Sequence, residues 1–152
     1  MPVSVAAATL LGLIIVTTAI GLMWRARNGR LREQPDDATA LTASDLGVSL
    51  GERATLVQFS TTFCAPCRTT RVVLDEVSKL VDGVAHVEID AEAHLDLVRR
   101  LDIMRTPTVL VLDARGRIVK RASGAPRKAD VLAALAALVA LAPTTRSRRS
   151  SS

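Results

Sequence analysis

Aromatic residues are scarce in this chain of 152 residues, which has one Trp, two Phe and no Tyr. Modules that bind single-stranded nucleic acid stack bases on aromatic rings, so this scarcity argues against that class of protein. The net charge of +5 does not reverse the argument, because it lies in the flanks. Residues 1–34 and 143–152 each carry +3, whereas residues 35–142 carry −1. We therefore expect no nucleic-acid partner and a membrane surface or a loose tail as the reason for the basic flanks.

Charged side chains are absent from the 22 residues Val3–Trp24, which are rich in Leu, Ile, Val and Ala. A helix of about 20 apolar residues crosses the hydrocarbon core of a bilayer. A cleaved signal peptide would have a basic start and a small-residue cleavage site, and neither is found here. A buried core helix is rarely uncharged on all sides over such a length. The sequence therefore predicts an uncleaved transmembrane helix over residues 3–24.

Positive charge follows this segment and does not precede it. The basic residues directly after it are Arg25, Arg27, Arg30 and Arg32. Because positively charged flanks stay in the cytoplasm, we expect a single-pass protein with its N-terminus outside and the rest of the chain on the cytoplasmic side. An extracytoplasmic domain is the alternative.

The rest of the chain divides by composition. Residues 25–37 have little apolar content and predict a basic, polar linker. Residues 143–152 contain only Pro, Thr, Arg and Ser and predict a disordered basic tail. Residues 38–142 remain as one globular domain of ordinary size.

Within that domain, the hydrophobic periodicity alternates between strand and helix. It predicts strands at 55–59, 84–90, 108–112 and 117–120, and helices at 65–82, 92–101 and 127–141. Residues 43–47 allow only a brief turn before the first of these strands. The order β-α-β-α-β-β-α indicates an α/β domain in which helices flank a mixed β-sheet.

The only two cysteines, Cys64 and Cys67, fall at a predicted junction between strand and helix. Positions i and i+3 share a helix face, so their sulfurs can reach bonding distance. The helix N-terminus favours a thiolate at Cys64, and Pro66 suits the first turn. Disulfide exchange needs such a pair, because one thiolate attacks a substrate disulfide and the second resolves the mixed disulfide.

Two further interpretations of this pair stay open. A structural zinc site needs four ligands, and His86 and His94 are the only histidines, at a spacing unlike that of known sites. A Cu(I) or Zn module that uses the cysteines, even across a dimer, is therefore an alternative. A redox-inert adaptor is another. We expect no metal and no cofactor beyond the cysteine pair itself.

Over residues 38–141 the sequence resembles the thioredoxin family. The matching segments are Val57–Phe59, Phe63–Arg68, Val87–Asp90, Ile103–Thr108 and Ser123–Ala125. The resemblance implies a thioredoxin-like fold in which Pro107 is cis and faces the cysteines. It makes Cys64 the nucleophile and Cys67 the resolving thiol. The substrate-binding residues it implies are Phe63, Ala65, Pro66, Thr106 and Pro107.

Three positions depart from the family pattern. Phe63 replaces the usual Trp before the first cysteine. Gln58 aligns with the buried acid that moves the proton of the resolving thiol, and His86 aligns with the lysine that often accompanies it. Because Gln cannot accept a proton, we expect the proton route to be absent or to use His86.

The sequence thus predicts a membrane-tethered thiol–disulfide oxidoreductase, with a reducing direction because Ala65–Pro66 places no charge between the cysteines. Its expected partners are protein disulfides and an upstream thiol or electron donor, since the chain has no G-x-G-x-x-G nucleotide-binding motif.

Overall fold

The computed structural model describes residues 3–34 and 40–141. Its helices are α1 (Val3–Arg27), α2 (Ala43–Leu46), α3 (Ala65–Leu80), α4 (Leu95–Arg100) and α5 (Lys128–Leu141). Its strands are β1 (Arg32–Glu33), β2 (Ala54–Ser60), β3 (Val84–Asp90), β4 (Thr108–Asp113) and β5 (Ile118–Ser123).

The strands form one five-stranded sheet in the order β1-β5-β4-β2-β3. β2 and β3 are parallel, whereas every other neighbouring pair is antiparallel. The predicted mixed sheet with flanking helices is confirmed. Parallel neighbours β2 and β3 require a crossover connection, and α3 provides it.

The two faces of the sheet bury different sets of side chains because successive residues of a strand point to opposite faces. One face contributes Val57, Phe59, Val87, Ile89, Leu110 and Leu112 to a cluster with the short helices α2 and α4. The other contributes Leu56, Val109 and Val111 to a cluster with α3 and α5. Burying each such side chain stabilises the fold by about 1.5–3 kcal/mol. The central strands β2 and β4 are therefore packed on both faces, and they hold in place the loops at their ends.

α1 is long and apolar enough to cross a membrane, and none of its residues is buried against the domain. It extends to Arg27, three residues beyond the predicted span. A signal sequence near the N-terminus meets the same criteria of helix length and hydropathy. Trp24 lies near its C-terminal end.

Residues 25–37 are predicted as a linker, but part of this segment forms regular secondary structure. Arg32 and Glu33 form the edge strand β1, opposite Arg121 and Lys120 of β5. Strand pairing uses backbone groups, so a polar dipeptide can join an open sheet edge without any hydrophobic pattern. Residues 35–39 and the predicted tail 143–152 lie outside the described residues.

The brief turn predicted before β2 is the short helix α2. A capping box forms its N-terminus. The Thr42 hydroxyl accepts from the Asp45 backbone N–H at 3.2 Å, and the Asp45 carboxylate accepts from the Thr42 N–H at 2.8 Å. Arg100 of α4 also donates to Asp45. These bonds lower the pKa of Asp45 to about 2. The largest effect comes from the Thr42 N–H, and smaller ones come from the Arg100 side chain and the Thr42 hydroxyl. α2 and α4 are thereby joined.

We expect Asp45→Ala to lower the free energy of unfolding at pH 7 by about 1 kcal/mol, because the capping box loses the carboxylate that accepts from the Thr42 N–H and from Arg100. A carboxyl group whose pKa is lower in the folded state stabilises the protein above its unfolded pKa, and this contribution disappears as the pH falls through the folded pKa. The difference between variant and wild type should therefore shrink as the pH falls from about 4 to 2. Urea unfolding at several pH values measures it, with the exposed Asp82→Ala as control. A difference that does not depend on pH would show that ionised Asp45 is not the stabilising species.

Candidate active site

The two cysteines lie where β2 ends and α3 begins. After β2 the chain turns, and the Cys64 N–H donates to the Thr61 carbonyl at 3.3 Å. Cys64 is the N-cap of α3, and its Sγ accepts from the Cys67 N–H at 3.2 Å. Pro66 falls in the first turn, where a helix needs no backbone donor. The sulfur of Cys64 is thus placed at the positive end of a 16-residue helix, which stabilises negative charge on it.

Cys64 and Cys67 are joined by a disulfide, with their Cα atoms 5.2 Å apart. The two sulfurs differ in their access to solvent. Cys64 is half-buried, whereas Cys67 is only 2% exposed. A substrate can therefore approach Cys64, while Cys67 lies behind it.

A second loop, directly before β4, contacts the turn that leads to this pair. The Thr106–Pro107 peptide bond is cis, as the resemblance implies. The Thr106 and Thr61 hydroxyls are 3.3 Å apart, so this loop contacts the turn that precedes Cys64. The Gly124 N–H donates to the Pro107 carbonyl at 2.7 Å, which fixes the loop to the end of β5.

The residues predicted to bind substrate differ in exposure. Phe63 is 99% exposed, and Ala65 and Pro66 are also exposed. Thr106 is half-buried and Pro107 is buried. An exposed apolar ring thus directly precedes Cys64.

Gln58 is fully buried beneath the disulfide. Its Nε2 donates to the Cys67 carbonyl at 2.9 Å, so the side chain supports the first turn of α3. Its Oε1 has no hydrogen-bond partner among the residues described. The predicted neighbour of the resolving thiol is thus in place, with an amide instead of a carboxylate.

His86 lies further from the cysteines along the sheet. It is opposite Leu56, two residues before Gln58, which corresponds to about 7 Å along a strand. Its Nδ1 is 2.6 Å from Asp75 Oδ1 of α3. His94 occupies the N-cap position of α4 but makes no cap bond with its side chain; its Nδ1 lies 3.0 Å from the Asp90 carbonyl oxygen. The structure therefore brings Gln58 to Cys67 and pairs His86 with α3.

A polar group that the sequence reasoning missed lies beside the disulfide. Glu88 is opposite Gln58 on β3, accepts from the Ser60 hydroxyl at 2.6 Å and pairs with Arg71 of α3 at 2.6 Å. Ser60, Arg71, Glu88 and both cysteines line one cleft, here called the dithiol cleft. The spacing along β3 could have revealed it. Glu88 follows His86 by two residues, so the two side chains lie on the same face of the sheet, toward α3.

Burial alone raises the pKa of Glu88, but the hydrogen bonds from Arg71 and Ser60 and the charge of Arg71 outweigh it and lower the pKa overall. The carboxylate is therefore ionised at neutral pH. It places a negative charge in the dithiol cleft, where Gln58 is neutral.

Within residues 3–34 and 40–141, no three His, Cys, Asp or Glu side chains are arranged to hold a metal ion. The Nδ1 of His86 is 2.6 Å from Asp75 Oδ1, and the Nδ1 of His94 is 3.0 Å from the Asp90 carbonyl oxygen.

A cysteine pair at a helix N-terminus, opposite a cis-proline on a mixed sheet, defines the class of thiol–disulfide oxidoreductases. The thioredoxin family model matches residues 40–137. The chain belongs to the thioredoxin family.

Individual relatives agree with this assignment. Thioredoxin H-type of Picea mariana is 32% identical over 94 residues, which are 62% of this chain and 74% of that protein. Thioredoxin domain-containing protein 2 of Homo sapiens is 39% identical over 71 residues, which are 45% of this chain but 13% of that protein. A crystal structure of chloroplastic thioredoxin z superposes with a TM-score of 0.57 at 22% identity, covering 70% of this chain and 98% of its own. These relatives support thiol–disulfide oxidoreductase activity for the domain, and the solved structure supports its fold.

Proposed function

We propose that this protein is a membrane-tethered disulfide reductase that acts on protein disulfides. The observation that carries the proposal is the unequal exposure of the two sulfurs at the N-terminus of α3. Half-buried Cys64 attacks the substrate disulfide, and buried Cys67 then displaces the product from the mixed disulfide. Phe63, Ala65, Pro66, Thr106 and Pro107 form the surface that receives the substrate chain.

The proposed direction is reduction. Ala65 and Pro66 place neither a histidine nor a charge between the cysteines, so the Cys64 thiolate is stabilised mainly by the helix N-terminus. A moderately stabilised thiolate gives a reducing pair, whereas a strongly stabilised one gives an oxidant. Another thiol or electron donor must then restore the dithiol after each cycle. Reduction of a disulfide-linked test protein by the purified chain, with a thiol reductant as donor, tests this proposal.

We also propose that Glu88 helps Cys67 lose its proton. The thiol of Cys67 must ionise before it attacks, and Gln58 cannot take the proton. Glu88 is ionised and lines the same cleft, so one water molecule can connect it to the sulfur. His86 stays a candidate for this role as well, although Asp75 already binds its Nδ1.

The proposed tether is α1, with the domain on the cytoplasmic side. The length and apolar composition of α1 support a span, and the four arginines that follow Trp24 support this orientation. Residues 38–142 would then form the soluble domain, and residues 143–152 a basic tail.

A reporter fused after Ser152 should therefore be found on the cytoplasmic side of the membrane. Replacing Arg25, Arg27, Arg30 and Arg32 with Gln, with Lys added after Met1, should weaken or invert this orientation, since the charge difference across the span is reversed. Replacing the distant Arg53 and Arg115 with Gln is the matched control and should change nothing. An externally accessible C-terminus in the unmutated protein would contradict the proposed side and favour an extracytoplasmic role.

A further inference from the structure

The chain enters the sheet from α1 at the same end that carries the redox site. β1 runs antiparallel to β5, with Arg32 opposite Arg121, so its start lies toward the end of β5. β5 ends at Ser123, which is opposite Thr108, the residue after the cis-proline. Thr108 is in turn opposite Phe59, near the end of β2, where the chain continues to the cysteines. The topology alone therefore places the redox site at the α1 end of the domain.

Direct contacts connect α1 to the cis-proline loop. The Arg105 guanidinium lies 5.9 Å from the centroid of the Trp24 ring, and Arg105 directly precedes Thr106. The Gly29 N–H donates to the Ser123 carbonyl at 3.0 Å. A Cβ on Gly29 would lie 2.0 Å from the Ala125 carbonyl oxygen, so the backbones meet closely here. The segment that follows α1 is thus held against the end of β5, on the side of the domain that carries the redox site.

The surface around this junction is cationic. A cleft lined by Trp24 also contains the arginines Arg27, Arg30, Arg32, Arg105 and Arg121, with Glu33 as its only acidic side chain among the described residues. Arginines and a tryptophan at the end of a spanning helix are suited to the headgroup region, where lipid phosphates lie. We call this cleft the arginine cleft. Its Arg105 directly precedes Thr106 of the cis-proline loop.

Apolar side chains extend the same surface across the redox site. Among the described residues outside α1, the two most exposed large apolar side chains are Phe63, at 99%, and Met104, at 83%. Phe63 precedes Cys64, and Met104 lies three residues before Pro107. A surface that is both cationic and apolar matches the composition of a membrane interface.

We propose that the redox site faces the membrane surface and that its substrates are disulfides held close to the bilayer, in segments of membrane proteins adjacent to their spans. This inference rests on the proposed membrane anchor. The reduced pair transfers two electrons: the Cys64 thiolate bonds to one substrate sulfur and releases the other as a thiolate. Cys67 then bonds to Cys64 and releases the second substrate thiol. A thiol donor reduces the resulting disulfide of the enzyme.

Tryptophan quenching by lipids tests the orientation, because Trp24 is the only Trp and the chain has no Tyr. In the first variant, Trp24→Phe is combined with Phe63→Trp beside the redox site. In the second, Trp24→Phe is combined with Arg115→Trp in the exposed turn between β4 and β5, at the other end of the sheet. Both full-length variants are reconstituted into phosphatidylcholine–phosphatidylglycerol vesicles that carry a nitroxide on the headgroup of one lipid.

We expect at least about twofold stronger quenching at position 63 than at 115, because a domain of this size holds its far end about 30 Å away. Equal quenching, or stronger quenching at 115, would overturn the orientation while leaving the anchor intact. A protein that does not float with the vesicles would overturn the anchor itself, and this inference with it.

Substrate reduction tests the consequence for partners. One disulfide-bonded peptide is attached to a lipid through either a short spacer or a long Gly/Ser spacer. The wild type should reduce the short-spacer form about fivefold faster, since that spacer concentrates the disulfide where Cys64 lies. Arg105→Gln should reduce this preference, whereas the matched Arg115→Gln should retain it. A faster reaction with the long spacer would show that the redox site faces away from the membrane.

Discussion

We expect the Cys67→Ser variant to accumulate a mixed disulfide between Cys64 and its substrate, because the attack can occur and the resolution cannot. Cys64 is half-buried at the N-terminus of α3, where its sulfur accepts the Cys67 N–H at 3.2 Å. The serine hydroxyl at position 67 stays protonated near neutral pH and does not displace the product thiol. Non-reducing electrophoresis after incubation with a disulfide-containing protein should show the adduct, which a reducing agent removes.

Cys64→Ser should instead lower the reduction rate by about 10³-fold or more, because no thiolate is left at the exposed position. It should form no adduct, since Cys67 is 2% exposed and a protein substrate cannot reach it. The two variants remove the same number of sulfur atoms, so each is the control for the other. A Cys67→Ala protein that reduced substrate at the wild-type rate without added thiol would contradict the two-thiol mechanism.

Gln58→Asp should accelerate resolution of the mixed disulfide by about tenfold near neutral pH, because it places a proton acceptor beneath Cys67. The wild-type amide already donates to the Cys67 carbonyl at 2.9 Å, so an acid there lies close to the thiol. The same substitution should lower the free energy of unfolding, since a fully buried carboxyl group loses its hydration. Single-turnover resolution rates measured against pH give the first effect, and urea unfolding gives the second.

Glu88→Gln tests the proton route of the native protein. It keeps the size of the side chain but removes the charge that faces the dithiol cleft, so we expect resolution to slow by about tenfold. Glu92→Gln, which alters an exposed carboxylate after β3, is the matched control. His86→Ala should slow resolution only if the imidazole reaches Cys67 through water. If none of Gln58→Asp, Glu88→Gln and His86→Ala shifts the rate or its pH profile, bulk water carries the proton.

The strands and helices that surround the site could be predicted from the sequence because each has a hydrophobic period of its own. The continuous apolar run at 108–112 corresponds to β4, and the helical spacing after Cys67 corresponds to α3. Helix α4 is shorter than predicted: residues 91–93 form a turn instead, in which the Glu92 N–H donates to the Asp90 carboxylate, and His94 is the N-cap residue. A local hydrogen bond of this kind changes no hydrophobic pattern, so periodicity could not reveal it.

The parts that were missed depend on contacts between distant segments. β1 exists because the edge of β5 offers unpaired backbone groups, and Arg32–Glu33 has no pattern typical of a strand. Glu88 was read only as part of a strand, since its partners Ser60 and Arg71 are 28 and 17 residues away. The redox role of Cys64 and Cys67 could be predicted because their spacing and their place between a strand and a helix are visible in one short segment of sequence. The polar residues that support them are brought together only by the sheet.

The reduction potential of the Cys64–Cys67 pair tests the proposed reductase most directly. The full chain is equilibrated in graded ratios of reduced and oxidised dithiothreitol or glutathione, then alkylated and weighed by mass spectrometry. We expect a reversible two-electron couple near the thioredoxin value of about −270 mV. A potential near the value of about −120 mV found in strong oxidants, or a pair that exchanges no electrons with the buffer, would contradict the account.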